Sequence, residues 1–320
     1  MRVVASCVCG SDLWSYRGVR SWDEPVRMGH EFVGVVAEVG SGVRSLVPGQ
    51  FVIAPFTICD GTCVHCAHGV HTSCERLSWW GGPDADGVAS DACQTEYVRV
   101  PLADGTLVAT PEMPDEALVP GLLALSDVMG TGHHAARSAG VGPGSTVVVV
   151  GDGAVGLCGV LAAHRLGAAR IVAMSRHPER QALARRFGAS DLVDARGPEG
   201  VEQVKDLLAG IGADCVLEAV GTKESMQQAL DSARPGGSVG CVGVPAGGAE
   251  LPVAQLFSTN VGVRGGVAPV RAYLPELLGE VWSGKLDPSP VFDLTLPLEQ
   301  VADAYTAMDT RTAVKVLLRP

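Results

Sequence analysis

Apolar runs of about five residues recur through the middle of the chain, at Thr146 to Val150, Arg170 to Met174, Cys215 to Ala219 and Ser238 to Val242, each followed by a helical stretch. A strand covered by helices on both faces loses the in-and-out alternation of a half-exposed one, so the segment from Glu116 to Gly266 reads as successive βαβ units of a parallel sheet. Residues 1 to about 113 differ: valine- and glycine-rich, with short alternations such as Phe32 to Val39 and turns such as Pro48-Gly49, they predict twisted β structure. After Gly266 the pattern predicts helices over Tyr273 to Ser283 and Leu298 to Asp309 and a final strand over Ala313 to Leu318. The expected fold class is α/β, a twisted β-rich part joined to a doubly wound parallel-sheet domain. The expected boundaries are residues 1–128, then 129–267 for the parallel sheet, then 268–320 returning to the first part.

Composition narrows the possible partners. Of 320 residues 47% are apolar and 18% charged, with a net charge of −11 and the acids scattered, so no basic surface exists to follow nucleic acid. The stretch Val147 to Ala163 is interrupted by Asp152 and glycines, short of the ~18 uncharged apolar residues of a membrane helix. Before Val4-Ala5-Ser6-Cys7 the apolar run is far shorter than the roughly 7–15 residues of an export signal, which predicts a reducing, cytoplasmic location. There the ten cysteines point to metal binding or catalysis rather than disulfides. Cys158, Cys215 and Cys241 sit singly in apolar runs and read as core filler.

The strand Thr146 to Val150 runs directly into Gly151-Asp152-Gly153-Ala154-Val155-Gly156 and an apolar helix. In that context the glycines mark a dinucleotide site: Gly151 for the tight turn, Gly153 for close approach of a pyrophosphate, and Gly156 for helix packing, with Ala154 and Val155 opening the helix. The next strand ends in Ser175-Arg176-His177, with Arg180 a helical turn later, and no carboxylate follows it at the position that binds the NAD ribose about twenty residues on. Ser175, Arg176 and Arg180 therefore predict NADP over NAD, unless the two arginines are ordinary solvated charges.

Cys9-Gly10-Ser11-Asp12, Gly29-His30-Glu31 and the segment Ser126-Asp127 to Thr131-Gly132 supply a cysteine, a histidine and an aspartate from separated places. Three such ligands with an open fourth position are what a catalytic zinc requires, although separated ligands carry no spacing check and a lone histidine in a β run is more often a core residue. Cys59, Cys63, Cys66 and Cys74 form a compact cluster, CxxxCxxC followed by seven residues and the last cysteine.

Together these segments resemble the zinc-dependent medium-chain alcohol dehydrogenase family over nearly the whole chain. The resemblance implies a GroES-like catalytic domain beside a Rossmann domain, two zinc ions, and reversible hydride transfer between an alcohol and an aldehyde or ketone, with nicotinamide as acceptor. It implies that Cys9, His30 and Asp127 bind the catalytic zinc, where many relatives carry a cysteine at the position of Asp127. Asp12 then orients His30, Glu31 is a neighbouring or alternate ligand, Ser11 receives the substrate proton, and Thr131 packs beside the nicotinamide. The family's structural zinc spacing, counted back from Cys63, lands on Asp60 rather than Cys59; Asp60, Cys63, Cys66 and Cys74 are the expected ligands and Cys59 the alternative to Asp60. His65, His68 and His71 are expected to be solvated.

Two departures stand out. The relay histidine of many relatives is replaced by Trp14, and Trp14, Trp79 and Trp80 are candidates to line an apolar substrate cleft, or simply core. Where the family carries about thirty further residues, this chain begins inside the strand that leads to Cys9: either the start lies further upstream or the first strands are lacking, and in the second case an exposed edge is expected to lower stability or favour homo-oligomers. The alternatives on the same scaffold are a zinc-free quinone or enoyl reductase and a catalytically silent NADPH-binding protein.

Overall fold

The structure is a computed structural model that describes residues 1–20, 26–245 and 250–320. It divides into two compact units, residues 1–130 with 269–320, and residues 131–268.

The first unit contributes β1 (Arg2–Cys7), β2 (Phe32–Val35), β3 (Phe51–Ala54), β4 (Thr57–Ile58), β5 (Ser78–Trp79) and β6 (Val108–Ala109). The second contributes β7 (Thr146–Val150), β8 (Arg170–Met174), β9 (Asp191–Val193), β10 (Ala213–Glu218), β11 (Ala233–Cys241) and β12 (Gly262–Gly265). The chain then returns to the first unit for β13 (Leu294–Pro297) and β14 (Val316–Arg319).

In the second unit the six strands run parallel in the order β12-β11-β10-β7-β8-β9, the order of a doubly wound Rossmann sheet. Its centre is β7, where Val147 to Val150 are all buried and pair with β10 on one side and β8 on the other. Covering such a strand on both faces removes roughly 1.5–3 kcal/mol worth of apolar surface from water per valine, which is why the run is unbroken in the sequence. Strand β9 is three residues long, below the length at which an apolar run is distinguishable from a loop.

The first unit is built on a six-stranded sheet in the order β13-β14-β1-β2-β3-β6. Here β1 is interior, antiparallel to β14 and to β2, so Cys7 and the residues after it leave the sheet from its centre. Phe32 is fully buried and meets the Trp80 ring edge-on at 4.9 Å, while Trp80 Nε1 donates to the Pro55 carbonyl at 3.0 Å. Trp80 is thus a core residue with its one polar group satisfied, which corrects its candidacy as a cleft-lining residue. Among the described residues no helix is long and apolar enough to cross a membrane.

Candidate functional site

Three local structures converge in the first unit. Past β1, the short helix Asp12–Tyr16 begins just after Cys9; β2 is preceded by Gly29-His30-Glu31; and Asp127 stands immediately before the helix Val128–Ala139. Gly29 has φ +98°, and a Cβ there would lie 2.6 Å from the Gln94 side chain, so the turn that presents His30 needs glycine. One ligand atom from each of Cys9, His30, Glu31 and Asp127 lies within 4.8 Å of the others.

Asp12 organises this cluster. Its Oδ2 accepts from the Cys9 amide at 3.0 Å, and its Oδ1 lies 3.3 Å from His30 Nδ1. Holding the proton on Nδ1 leaves Nε2, which is 3.6 Å from Asp127 Oδ2, as the lone-pair donor. Cys9 Sγ is also 3.6 Å from that oxygen. Burial works against a charged imidazole, yet Asp12, Cys9 and Asp127 together hold the His30 pKa well above the ordinary range. Burial pushes the Cys9 thiol up, and the Glu31 charge adds to it. A divalent cation at the point of convergence would favour the deprotonated forms of Cys9 and His30. A thiolate, an imidazole and carboxylate oxygens form the donor set that suits zinc.

Sequence reasoning missed one member of the site. Lys315, 1% exposed, places Nζ 2.7 Å from Glu31 Oε1 and 3.2 Å from the Val8 carbonyl, and Glu31 is itself fully buried. Burial pushes the Glu31 carboxyl up and Lys315 counters it. Glu31 Oε2 is buried without a hydrogen-bond partner, an acceptor left over beside the other ligand atoms. A buried lysine inside the apolar run Ala313 to Leu318 was the available signal.

Ser11 is exposed and its side chain makes no capping bond. Trp14 is half-buried, whereas Trp79 is 49% exposed and stacks on Phe56 at 6.2 Å, which meets the His30 ring edge-on at 6.5 Å. Phe56 and Trp79 therefore put an apolar aromatic wall beside the cluster. Thr131 is buried in the second unit.

A second cluster lies in the loop after β4, where ligand atoms of Asp60, Cys63, Cys66 and Cys74 lie within 4.8 Å of one another. Asp60 Oδ1 accepts from the amides of Thr62 at 2.7 Å and Cys63 at 2.9 Å, which lowers its pKa to about 2. The Cys74 sulfur receives the amides of Asp60 and Arg76, each at 3.3 Å. Amide donors aimed at sulfur suit a thiolate. Cys59 lies outside this group: its thiol donates to the Gly105 carbonyl at 3.3 Å, and burial raises its pKa to about 11. Arg271 Nε donates to the same carbonyl at 3.0 Å. His65 and His68 are exposed, but His71 is half-buried with Nδ1 unpartnered, and burial together with Arg271 lowers its pKa. The expectation that His71 is solvated is corrected: the turn His71–Ser73 folds its ring inward ahead of Cys74.

In the second unit Gly151 has φ +117°, and a Cβ on Gly156 would lie 2.0 Å from the Gly151 carbonyl oxygen. Gly153 is exposed with nothing near its Cβ position and opens the helix Ala154–Arg165 without a side-chain cap. Free amides and open space at a helix start fit a pyrophosphate. At the end of β8, Arg176 is exposed, while Ser175 Oγ donates to Asp152 Oδ2 at 2.8 Å and Arg180 pairs with Asp152 Oδ1 at 3.4 Å. The expectation that no carboxylate stands at this position is corrected, because Asp152 reaches it from the glycine turn rather than from the second strand.

The profile of the alcohol dehydrogenase GroES-like domain matches residues 1–115, and that of the zinc-binding dehydrogenase matches residues 154–283. Zinc-type alcohol dehydrogenase B of Aspergillus flavus is 34% identical over 100% of the chain and 74% of its own length. Alcohol dehydrogenase TADH from Thermus sp. ATN1 superposes with a TM-score of 0.90 at 35% identity, covering 99% of this chain and 91% of that one. Zinc dependent alcohol dehydrogenase 2 from Streptococcus pneumonia superposes with a TM-score of 0.89 at 29% identity, covering 99% and 90%.

Proposed function

Because the chain belongs to the zinc-binding medium-chain alcohol dehydrogenase family, and is a zinc-type, NAD(P)-dependent alcohol dehydrogenase, we propose that Cys9, His30 and Asp127 hold its catalytic zinc and that NADP is its preferred cofactor. The observation that carries the metal assignment is the convergence of one ligand atom each from Cys9, His30, Glu31 and Asp127 within 4.8 Å. Asp60, Cys63, Cys66 and Cys74 hold the structural ion.

When bound, zinc supplies a Lewis acid that eases deprotonation of an alcohol, and the nicotinamide supplies the hydride acceptor. The chain's own residues do the positioning. Asp12 fixes the tautomer of His30, and Lys315 anchors one oxygen of Glu31, which leaves the other as an alternate ligand. Phe56 and Trp79 present apolar surface that suits the carbon chain of a small alcohol or carbonyl compound. Ser11, exposed and uncapped, takes the hydroxyl proton and passes it to water, since Trp14 cannot relay it. Thr131 packs beside the nicotinamide.

The cofactor preference rests on Arg176, whose exposed guanidinium is available to a 2′-phosphate. A charge-assisted bond of about 1.5–3 kcal/mol corresponds to roughly ten- to a hundredfold. Ser175→Asp is expected to reverse the preference by placing a second carboxylate where the phosphate binds, with kcat at saturating cofactor little changed. Steady-state kinetics with NADP and NAD on both proteins checks this, and a wild type that favours NAD defeats the assignment.

Self-association and a cytoplasmic setting complete this reading. None of the ten cysteines forms a disulfide among the described residues. Strand β12 closes one side of its sheet with no further strand among the described residues, and the helix before it exposes Val253 and Phe257. Light scattering of the purified protein gives the mass that decides it.

A further inference from the structure

The second position of the glycine motif has no required side chain, and here it carries an acid that reaches across to the end of β8. We propose that Asp152 is a specificity-determining residue of the adenosine-ribose pocket, its carboxylate lowering the selectivity for NADP below what the neighbouring arginines alone would give. The inference builds on the NADP reading above but is separable from it.

A serine hydroxyl has one proton to donate, and Ser175 Oγ gives it to Asp152 Oδ2 at 2.8 Å. A 2′-phosphate is almost entirely an acceptor, so to use Ser175 it must take that proton and leave the carboxylate facing the phosphate. A ribose 2′-hydroxyl both donates and accepts: it can donate to the Asp152 carboxylate without disturbing the bond from Ser175. Asp152 also draws on the nearby positive charge. Arg180 Nη1 lies 3.3 Å from the Asp152 carbonyl oxygen and 3.4 Å from its Oδ1, with both side chains largely buried. In that setting the guanidinium is already compensated, and a phosphate meeting it also meets the acid.

The frame around Asp152 is fixed. Gly151 precedes it in a conformation that favours glycine, and Gly153 begins the helix. Gln181 Nε2 donates to the Ser175 carbonyl at 2.7 Å, which ties the helix Pro178–Arg186 to the end of β8. The carboxylate is therefore held between two elements that do not depend on it, and removing its charge leaves the turn intact.

The test is direct binding of NADPH and NADH to the zinc-loaded protein without substrate, followed by nucleotide fluorescence, for the wild type, Asp152→Asn and Asp152→Ala. Both variants are expected to raise the selectivity for NADPH over NADH by about tenfold, about 1.4 kcal/mol. The gain has two parts, tighter NADPH and weaker NADH, because the phosphate loses a repelling charge and the ribose hydroxyl loses its charged acceptor, which Asp152→Asn replaces by a neutral amide oxygen and Asp152→Ala removes. A selectivity that rises by at least threefold in both variants supports the assignment; a smaller rise, a shift toward NADH, or loss of both nucleotides by a variant that still melts cooperatively overturns it. The wild-type ratio alone tests the NADP reading, so a wild type that prefers NADH with variants that shift toward NADPH would sink that reading and keep this one.

Discussion

His30→Ala will reduce the zinc content from two ions per chain to one and lower turnover by at least about a thousandfold, with cofactor binding retained. His30 is the neutral donor of the set, and Asp12 at 3.3 Å from Nδ1 keeps Nε2 free for the metal. Without the ring, Cys9, Asp127 and Glu31 are left as mutually repelling acids that must take up protons, and the affinity for a divalent ion collapses. Each order of magnitude in rate is 1.36 kcal/mol, so a thousandfold loss is about 4 kcal/mol, within what a Lewis acid contributes to a developing oxygen charge. Cys9→Ala and Asp127→Ala should behave alike, whereas Asp127→Cys keeps the ligand charge and should keep the metal. Metal analysis by mass spectrometry with nucleotide titration separates loss of zinc from loss of the fold. Full metal and activity in all three alanine variants would reject the site.

Cys66→Ala will leave the catalytic ion in place and instead lower the melting temperature by about 6–12 °C, the shift expected for about 3 kcal/mol in a domain of this size. The loop from Asp60 to Cys74 contains two short helical turns, Val64–Ala67 and His71–Ser73, and buries little apolar surface besides its cysteines. Its order therefore depends on the metal, as in other small zinc loops. Asp60→Ala should release this ion too, while Cys59→Ala, which removes only a thiol bonded to the Gly105 carbonyl, should retain it. Differential scanning calorimetry and zinc content on the three variants give the answer. Release of zinc by the Cys59 change alone would make Cys59 the fourth ligand.

What could be read in advance followed a physical division. Residues that act through local chain geometry were legible: Gly151 and Gly156 are required by a turn and a packing contact a few residues away, and the Asp60 to Cys74 ligands share one loop. Residues that act through distant partners were not. Lys315 looks like an interruption in a strand until Glu31, 284 positions earlier, is placed against it. Asp152 reads as a turn residue until Ser175 and Arg180 come within reach. Trp80 and Trp79 are adjacent in sequence and chemically identical, yet one is core and the other exposed, because neighbouring residues of a strand and turn face opposite ways.

The discontinuity of the first unit also sets an order of events during synthesis. Strand β1 is bordered by β14, with Ser6 opposite Leu318 and Cys7 opposite Leu317, and Lys315 joins Glu31 from the same late segment. At about 5–20 residues per second, the ribosome takes on the order of 15–60 s to travel from one partner to the other. The second unit, residues 131–268, is complete in the chain before that late segment is made, whereas the Asp60 to Cys74 loop awaits Arg271, which donates to the Gly105 carbonyl and adds to burial in lowering the His71 pKa. Cys9, His30 and Glu31 emerge early yet lack the lysine that counters Glu31 until translation reaches residue 315. The buried pair of Glu31 and Lys315, which stands beside Cys9 and His30, is therefore among the last contacts of the first unit that synthesis makes available.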